Sequence, residues 1–228
     1  MKIGLIGAMT VEVEALRDKM ENAVRTAVSG MEFWEGRLCG QDVVLAVAGI
    51  GKVNAAMCAQ TMILRFAPDA VLNTGVAGGI GSGVKILDVV VADAVAQHDM
   101  DTSPLGDPVG LIPGLNVVEM KCDEALCDRA CAAARSVGVE PVRGLIVSGD
   151  QFIGSQAQID RIRAHFDARA AEMEGAAIGQ VCAINRVPFT VIRAISDGGD
   201  ADAQMDYPQF VKLAAARSVR IVEAFLRL

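Results

Sequence analysis

Three acidic residues lie beside strongly apolar segments of this chain, and their positions predict acid and base chemistry. Asp197 lies just past the apolar run 187–195, which is typical of a buried strand rich in β-branched and aromatic residues. Glu174 lies in the segment Ala-Glu-Met-Glu-Gly that ends at residue 175, and Glu12 follows the predicted strand Lys2–Gly7. Ligands of open α/β sheets bind beyond the carboxyl ends of the strands, where these side chains are expected.

Isolated carboxylates are more often solvated surface charges than catalytic groups. We expect Glu172 to be such a surface charge. For Glu174 and Asp197, the residues alone leave the surface interpretation and the catalytic interpretation equally open, because both residues adjoin apolar segments.

Two glycine-rich segments could bring backbone N–H groups close to a ligand. Gly75–Gly81 follows the predicted strand 71–74, but it lacks the Gly-x-Gly-x-x-Gly spacing of dinucleotide-binding folds, and the chain has no Walker A motif. Gly49–Lys52 leads into a predicted helix and is compatible with an anion site, although a structural turn is the favoured interpretation. Phe152 follows another predicted strand, where its ring would either stack on a nucleobase or pack in the core.

The composition limits the classes of fold and partner. The chain has 228 residues, of which 52% are hydrophobic and 21% charged, which favours one compact α/β domain over residues 1–228. Its formal net charge of -7 argues against a nucleic-acid partner, because phosphate backbones are bound by clustered Lys and Arg.

Six scattered cysteines and two histidines predict no zinc site, and reduced thiols fit the cytoplasm. No segment resembles a signal peptide or a membrane span, so no membrane partner is expected.

Apolar runs of strand type alternate with helical patterns along the chain. The predicted strands are Lys2–Gly7, Met31–Leu38, Asp42–Ala48, Ala70–Thr74, Leu87–Ala92, Val142–Ser148 and Pro188–Ile195. The predicted helices are Thr10–Met20, Lys52–Phe66, Asp123–Val137, Ser155–Phe166, Glu174–Asn185 and Tyr207–Leu228. This order predicts an α/β fold in which a mixed, mostly parallel central sheet is flanked by helices on both sides.

A long irregular segment, residues 98–114, interrupts this pattern. A loop of this length inside a compact domain is more often functional or buried at an interface than idle. In a monomer, its apolar side chains would be largely exposed to solvent; they are Leu105, Val109, Leu111 and Ile112. We therefore predict a homodimer with this loop at or near the partner subunit.

Seven short motifs follow one another between residue 1 and about residue 225. They are Gly4-x-Ile6-Gly-Ala-Met9-x-x-Glu12, Gly49-Ile-Gly51-Lys52, Asn73-Thr-Gly-x-Ala-Gly-Gly79, His98-Asp99, Arg143-Gly-Leu-Ile-Val-Ser-Gly-Asp150-x-Phe-Ile153, Glu172-Met-Glu174 and Arg193-Ala-Ile-Ser-Asp197. As a set, they resemble the motifs of the 5'-methylthioadenosine/S-adenosylhomocysteine nucleosidases, which belong to the nucleoside phosphorylase superfamily. The resemblance implies the nucleoside phosphorylase-like form of the fold.

The resemblance also implies an activity that needs neither a cofactor nor a metal. This activity is the addition of water at C1' of a 5'-thio-substituted adenine riboside in methionine salvage, with release of adenine. Asp197, oriented by Ser196, would protonate adenine N7, and Glu12 would deprotonate the attacking water. Glu174 would bind the ribose hydroxyls, and Arg193 would help to place the water and Glu12.

The remaining implied binding residues would contact the sugar, the base or the 5'-group. Met173 would pack on the sugar, Phe152 would stack on adenine, and the Ile153 backbone would read the edge of the base. Tyr207 would cover the 5'-substituent. The further implied contacts are Met9, Ile50 and Gly78.

The chain departs from the family pattern at two positions. Val76 stands where family members commonly have a Ser near the attacking water, and Tyr207 adds a hydroxyl where an aromatic residue is common. By analogy, the loop would reach the 5'-thio pocket of the neighbouring subunit through Leu105 and Pro113.

Several alternatives to this activity stay open. Within enzymes they are a nucleosidase for a related riboside, such as futalosine or 5'-deoxyadenosine, and a phosphate-dependent purine nucleoside phosphorylase. Glu12 disfavours the phosphorylase, because a carboxylate in that position would repel phosphate. A nucleoside-binding module on the same fold is the alternative outside enzymes.

Overall fold

The computed structural model describes residues 1–228 except for the side chain of Met205. Its ten strands are β1 Lys2–Gly7, β2 Glu21–Val28, β3 Met31–Leu38, β4 Gln41–Val47, β5 Ala70–Gly79, β6 Val89–Gln97, β7 Glu119–Lys121, β8 Val142–Ser148, β9 Ala168–Glu172 and β10 Phe189–Asp197. Its α-helices are α1 Thr10–Arg17, α2 Lys52–Phe66, α3 Glu124–Ser136, α4 Gln156–Arg163, α5 Gly175–Asn185 and α6 Ala203–Arg227.

All ten strands belong to one mixed sheet. Strands β5, β10, β6, β8 and β9 each pair with two others of this set, so that they close into a ring. The extension β1, β4, β3 and β2 continues from β5, and β7 pairs with β6. The longest ladders, β5 with β10 and β6 with β8, are parallel. The predicted mixed, mostly parallel sheet is confirmed.

Helices cover both faces of the sheet, as the sequence predicts. One apolar cluster joins the sheet to α1, α3 and α6, a second joins it to α2 and α5, and a smaller third cluster includes α4. Strand β10 is buried along its whole length because its neighbours and α6 enclose it. Over the described residues, no helix is both long enough and apolar enough to cross a membrane.

The element boundaries differ from the predicted ones where the sequence pattern is weak. The prediction missed β2, β7 and β9; β2 is a largely exposed strand at the sheet edge, and β9 is a short, alanine-rich strand. Helix α6 begins at Ala203, so that Tyr207 and Pro208 lie inside its first turns. Helix α5 ends at Asn185 as predicted, and Arg186 after it adopts the left-handed conformation that ends the helix.

The glycine-rich segment after residue 74 belongs to a strand and is not a loop. Strand β5 continues to Gly79, and its residues up to Gly78 stay paired with β10. Asp197 at the end of β10 is the ladder partner of Gly78. The ends of β1, β5 and β10 therefore lie at the same edge of the sheet, as expected for parallel neighbours.

The loop 98–114 is only partly exposed. Leu105, at the end of a single 3-10 turn, is 83% exposed. Ile112, in contrast, is buried in the second apolar cluster, and Val109 packs against the third. The expectation that all four apolar loop residues would be exposed in a monomer is wrong for Ile112, because the loop folds back onto its own subunit there.

Candidate active site

A cavity of about 330 Å³ lies where the ends of β1, β5 and β10 meet the N-terminus of α1 and the side of α6. The structure brings eleven of the twelve predicted site residues onto its wall, the exception being Arg193; they are Met9, Glu12, Ile50, Gly78, Phe152, Ile153, Met173, Glu174, Ser196, Asp197 and Tyr207. The other lining residues are Ala8, Val76, Ala77, Gln151, Ala171 and Glu172.

Glu12 is held in place by backbone N–H groups. Its Oε2 accepts hydrogen bonds from the N–H groups of Ala8 and Met9 at 2.7 and 2.8 Å, and its Oε1 accepts one from Val76 at 3.1 Å. Burial raises the pKa of Glu12, while the charge of Arg193 and these three N–H donors act against that rise. A carboxylate has about four acceptor positions, so one remains for a further donor.

Two glycines of β5 make room for the two carboxylates implied in catalysis. A Cβ added at Gly75 would lie 2.6 Å from Oε1 of Glu12, and one added at Gly78 would lie 3.0 Å from Oδ1 of Asp197. Any side chain at Gly75 would therefore displace the carboxylate. At these two positions the missing side chain allows the strand and the carboxylate to pack closely.

Asp197 is buried and oriented by two donors. The hydroxyl of Ser196 donates to Oδ2 at 2.9 Å, and the N–H of Gly199 donates to Oδ1 at 2.9 Å. Burial raises the pKa of Asp197, and the carboxylates of Asp206 and Asp200 raise it further, against the lowering effect of the two donors. Burial therefore favours proton binding by this residue more than exposure to solvent would.

Glu174 lies on another wall of the cavity, just before α5. Its Oε1 accepts a hydrogen bond from the N–H of Gly51 at 2.9 Å, which ties it to the start of α2. Burial and the neighbouring carboxylate of Glu172 raise the pKa of Glu174 to about 7, although Arg193 lowers it. Its Oε2 lies 3.8 Å from the Arg193 guanidinium, beyond hydrogen-bond distance.

Glu172 is not the solvated surface charge that the sequence suggests. It is only 7% exposed and accepts hydrogen bonds from the Ser148 hydroxyl, the Arg193 guanidinium and the N–H groups of Glu174 and Gly175. The prediction was wrong because strand β9, which ends at Glu172, gives no clear apolar pattern. The repetition of glutamates at 172 and 174 was the signal available in the sequence.

Arg193 lies behind the cavity wall and is not among the residues that line it. Its guanidinium donates to Glu172 and, at 2.6 Å, to the side-chain oxygen of Asn73, and the residue is 1% exposed. The described side chains include no hydrogen bond between Arg193 and Glu12. Its charge reaches Glu12 only through space, where it lowers the pKa of that carboxyl.

Two aromatic rings form the outer wall of the cavity. Phe152 and Tyr207 meet edge to face with their ring centroids 5.7 Å apart. The Tyr207 hydroxyl donates to the Met9 sulfur at 3.3 Å, which links α6 to the start of α1. Phe152 is 46% exposed and is therefore not a core residue, which favours the stacking interpretation over the packing one.

The electrostatics of the cavity are one-sided. Four acidic residues lie on its wall, and among the described residues that line it there is no Lys or Arg. Among the described residues, no three or more His, Cys, Asp or Glu side chains form a group that could hold a metal ion. The arrangement therefore suits proton transfer to and from an uncharged ligand better than binding of an anion.

Comparison with known proteins assigns this cavity to a family. A sequence model described as phosphorylase superfamily matches residues 2–227. A 5'-methylthioadenosine/S-adenosylhomocysteine nucleosidase of Haemophilus influenzae is 43% identical over 223 residues, which is 97% of each chain. The chain belongs to this nucleosidase family.

Solved nucleosidase structures share the fold along nearly the whole chain. The enzyme of Neisseria meningitidis, in complex with methylthio-immucillin-A, superposes with a TM-score of 0.96 at 42% identity, covering 99% of this chain and 98% of the other. The futalosine hydrolase of Helicobacter pylori superposes with a TM-score of 0.94 at 32% identity, covering 99% and 97%.

The fit between Gly75 and Glu12 can be tested with Gly75→Ala. We expect kcat to fall by about a hundredfold, since displacing a catalytic group by about 1 Å can cost that much. Gly138→Ala is the control, because an added Cβ there meets nothing within 4 Å and the residue has φ 79°, so that it loses stability only through backbone strain. Turnover and thermal unfolding are measured for both; full turnover in a folded Gly75→Ala protein would contradict the assignment.

Proposed function

We propose that this chain hydrolyses the N-glycosidic bond of 5'-methylthioadenosine and S-adenosylhomocysteine, releasing adenine and the 5'-thio-ribose in methionine salvage. Membership of the nucleosidase family supports the substrate class. The observation that carries the choice of reaction is the cavity wall, where four carboxylates and, among the described residues, no cation surround the ligand space.

Departure of adenine requires a proton donor, because the adenine anion is a poor leaving group. We assign this role to Asp197, whose burial raises the pKa of its carboxyl and so favours proton binding there. Ser196 and Gly199 fix the two carboxyl oxygens, so that the proton is presented from one orientation. Phe152 would stack on the purine, and the backbone of Ile153 would read its edge.

The attacking water requires a base on the sugar side, which we assign to Glu12. Three backbone N–H groups hold its carboxylate rigidly and leave one acceptor position for the water. Burial raises its pKa and makes it a stronger base than a solvated glutamate. Because the Val76 side chain has no hydroxyl, only the N–H of this residue contributes to the orientation of Glu12.

The ribose would be bound between Glu174 and Met173. The free Oε2 of Glu174 can accept hydrogen bonds from the 2'- and 3'-hydroxyls, and Met173 presents an apolar side chain to the sugar. Met9, Ile50 and Tyr207 would contact the 5'-substituent at the open side of the cavity, and Gly78 lies beside the acid.

A phosphorylase needs positive charge for its phosphate, and this cavity offers none among the described lining residues. Arg193, the buried cation nearest to it, is already bound to Glu172. Phosphate would meet the carboxylates of Glu12 and Glu174, to which no cation among the described side chains is hydrogen-bonded. Water, which is neutral, meets no such barrier.

A second candidate is a nucleosidase for a related adenine riboside or for futalosine. The structural similarity to a futalosine hydrolase is nearly as high as that to the methylthioadenosine nucleosidase. Both reactions cleave the N-glycosidic bond of a purine riboside, so that the same acid and base would serve either one.

Base release from a panel of nucleosides tests the reaction and the substrate together. We expect release from methylthioadenosine, adenosylhomocysteine and 5'-deoxyadenosine to exceed release from adenosine, inosine and futalosine, at the same rate with and without phosphate. Strict dependence on phosphate would refute hydrolysis. Preference for futalosine would establish the second candidate, and binding without turnover of any nucleoside would indicate a binding module.

The two assigned roles are tested with Asp197→Asn and Glu12→Gln. Each should lower kcat by about 10²–10⁴-fold, the usual contribution of a general acid or base, while the unfolding temperature stays near that of wild type. Asp167→Asn is the matched control, because the Asp167 side chain is 92% exposed. Wild-type turnover in either site variant would remove the role assigned to that residue.

We further propose that the enzyme is a cytoplasmic homodimer. Val53, Met57 and Leu64 are 70%, 46% and 70% exposed, and their spacing places them on one outer face of α2. Leu105 in the loop 98–114 is exposed as well. Ile50, just before α2, belongs to both the exposed surface and the cavity wall, so a partner subunit on this face would lie near the 5'-group.

Light scattering of Val53→Asp and Leu105→Asp tests the dimer. We expect the wild type to be a dimer, and both variants to shift towards monomer because a carboxylate would be buried in the interface. Val24→Asp is the control, since Val24 is 63% exposed on the edge strand β2, outside both α2 and the loop 98–114. A monomeric wild type, or an equal shift in Val24→Asp, would contradict this surface.

A further inference from the structure

Glu172 is the most completely bonded carboxylate in the site, although the proposed reaction gives it no role. Its donors come from three elements: the Ser148 hydroxyl at the end of β8, the N–H groups at the start of α5, and Arg193 in β10. Its own strand, β9, ends at this residue. One carboxylate therefore joins three neighbouring parts of the fold beneath the cavity.

Glu172 fixes the turn that carries the ribose-binding residue. It accepts the N–H groups of Glu174 at 3.1 Å and of Gly175 at 2.8 Å. The Ser148 hydroxyl, which donates to Glu172, in turn accepts the N–H of Ala176 at 2.7 Å. The first N–H groups of a helix have no partner within the helix, and a negative charge there is favourable. The backbone at Glu174 is thereby held in one conformation.

Glu172 also determines the position of the buried Arg193 guanidinium. Arg193 is bonded to Glu172 and Asn73, whereas its distance to Oε2 of Glu174 is 3.8 Å. Without the charge of Glu172, the nearest carboxylate available to the guanidinium would be Glu174. A hydrogen bond there, shorter than the present 3.8 Å ion-pair distance, would occupy Oε2 of Glu174.

We propose that Glu172 is a positioning residue for ribose recognition: it holds Arg193 away from Glu174 and fixes the turn before α5, so that Glu174 keeps a free oxygen for the 2'- and 3'-hydroxyls. This proposal rests on the proposed function in one respect, the assignment of the ribose to Glu174. The competing explanation is a helix cap that contributes stability alone.

Four charged or titratable groups face Glu174 from the elements around it. Glu172 in β9, Arg193 in β10 and Glu12 in α1 act on its carboxyl, and Tyr207 in α6 lies within electrostatic reach. Burial is the largest cause of its raised pKa, and Glu172 is the next. Glu172→Gln removes that repulsion and leaves the positive charge of Arg193, which lowers the pKa of Glu174, free to move towards it. The pKa of Glu174 must then fall.

The first experiment compares methylthioadenosine with its 2',3'-dideoxy analogue in Glu172→Gln and Ser148→Ala. In Glu172→Gln, we expect kcat/KM for methylthioadenosine to fall about tenfold through KM, with little change for the analogue, because a hydrogen bond to a charged group is lost. Ser148→Ala removes the acceptor of the Ala176 N–H and one donor to Glu172 but keeps the Glu172–Arg193 pair, so both substrates should lose equally. Glu172→Asp, which keeps the charge, should recover part of the discrimination. Equal losses for both substrates in Glu172→Gln would leave only the cap and overturn the proposal.

The second experiment does not depend on turnover and therefore separates this proposal from the proposed function. The pKa of Glu174 rises from an ordinary 4.5 to about 7 in the folded protein. Its ionised form thus destabilises the fold increasingly as the pH rises through this window, and fully above it. Glu174→Gln should raise the unfolding temperature at pH 8 more than at pH 5.

The same substitution in the Glu172→Gln background measures the coupling between the two glutamates. At pH 8, Glu174→Gln should raise the unfolding temperature less there than in wild type, because Glu172 no longer repels Glu174. In the Ser148→Ala background the gain should match that of wild type. Equal gains in all three backgrounds would overturn the proposal, whatever reaction the enzyme catalyses.

Discussion

The site depends on one buried cation that lies among more negative charge than it can neutralise. Arg193 is bonded to Glu172, approaches Glu174 and acts through space on Glu12. Burial of the remaining carboxylates raises their pKa values, so the cavity binds protons more readily than solvent-exposed acids do. The same charge imbalance that favours proton transfer disfavours phosphate. Acid–base catalysis and the choice of water as nucleophile therefore follow from one electrostatic arrangement.

The strand β5 provides the space in which this arrangement fits. Parallel pairing brings the ends of β1, β5 and β10 to one edge, but side chains on β5 would normally fill the gap between them. Gly75 and Gly78 leave that gap open, and the carboxylates of Glu12 and Asp197 occupy it. Donors from the backbone then orient both groups without any added cation, and burial raises the pKa of each.

Much of this could be predicted from the sequence, because strong patterns persist in the fold. The buried strands and α2 have clear apolar periodicity, and the ordered motifs located all but one of the predicted residues on the cavity wall. The burial of Glu172 and its pairing with Arg193 could not be predicted, because they depend on which of several carboxylates lies nearest the guanidinium. That choice is made by tertiary packing, which the linear order of residues does not contain. Strand β2 was missed for a related reason, since an exposed edge strand needs no apolar alternation.

The central claim is that Asp197 carries a proton in the free enzyme beyond the pH at which an ordinary aspartate loses it. Carbon-13 NMR of protein labelled at the aspartate carboxyl carbons measures this directly, with the Asp197 signal assigned from its absence in Asp197→Asn. We predict a titration midpoint above the ordinary value of about 3.9. A midpoint at or below that value, in enzyme that still releases adenine, would contradict the account.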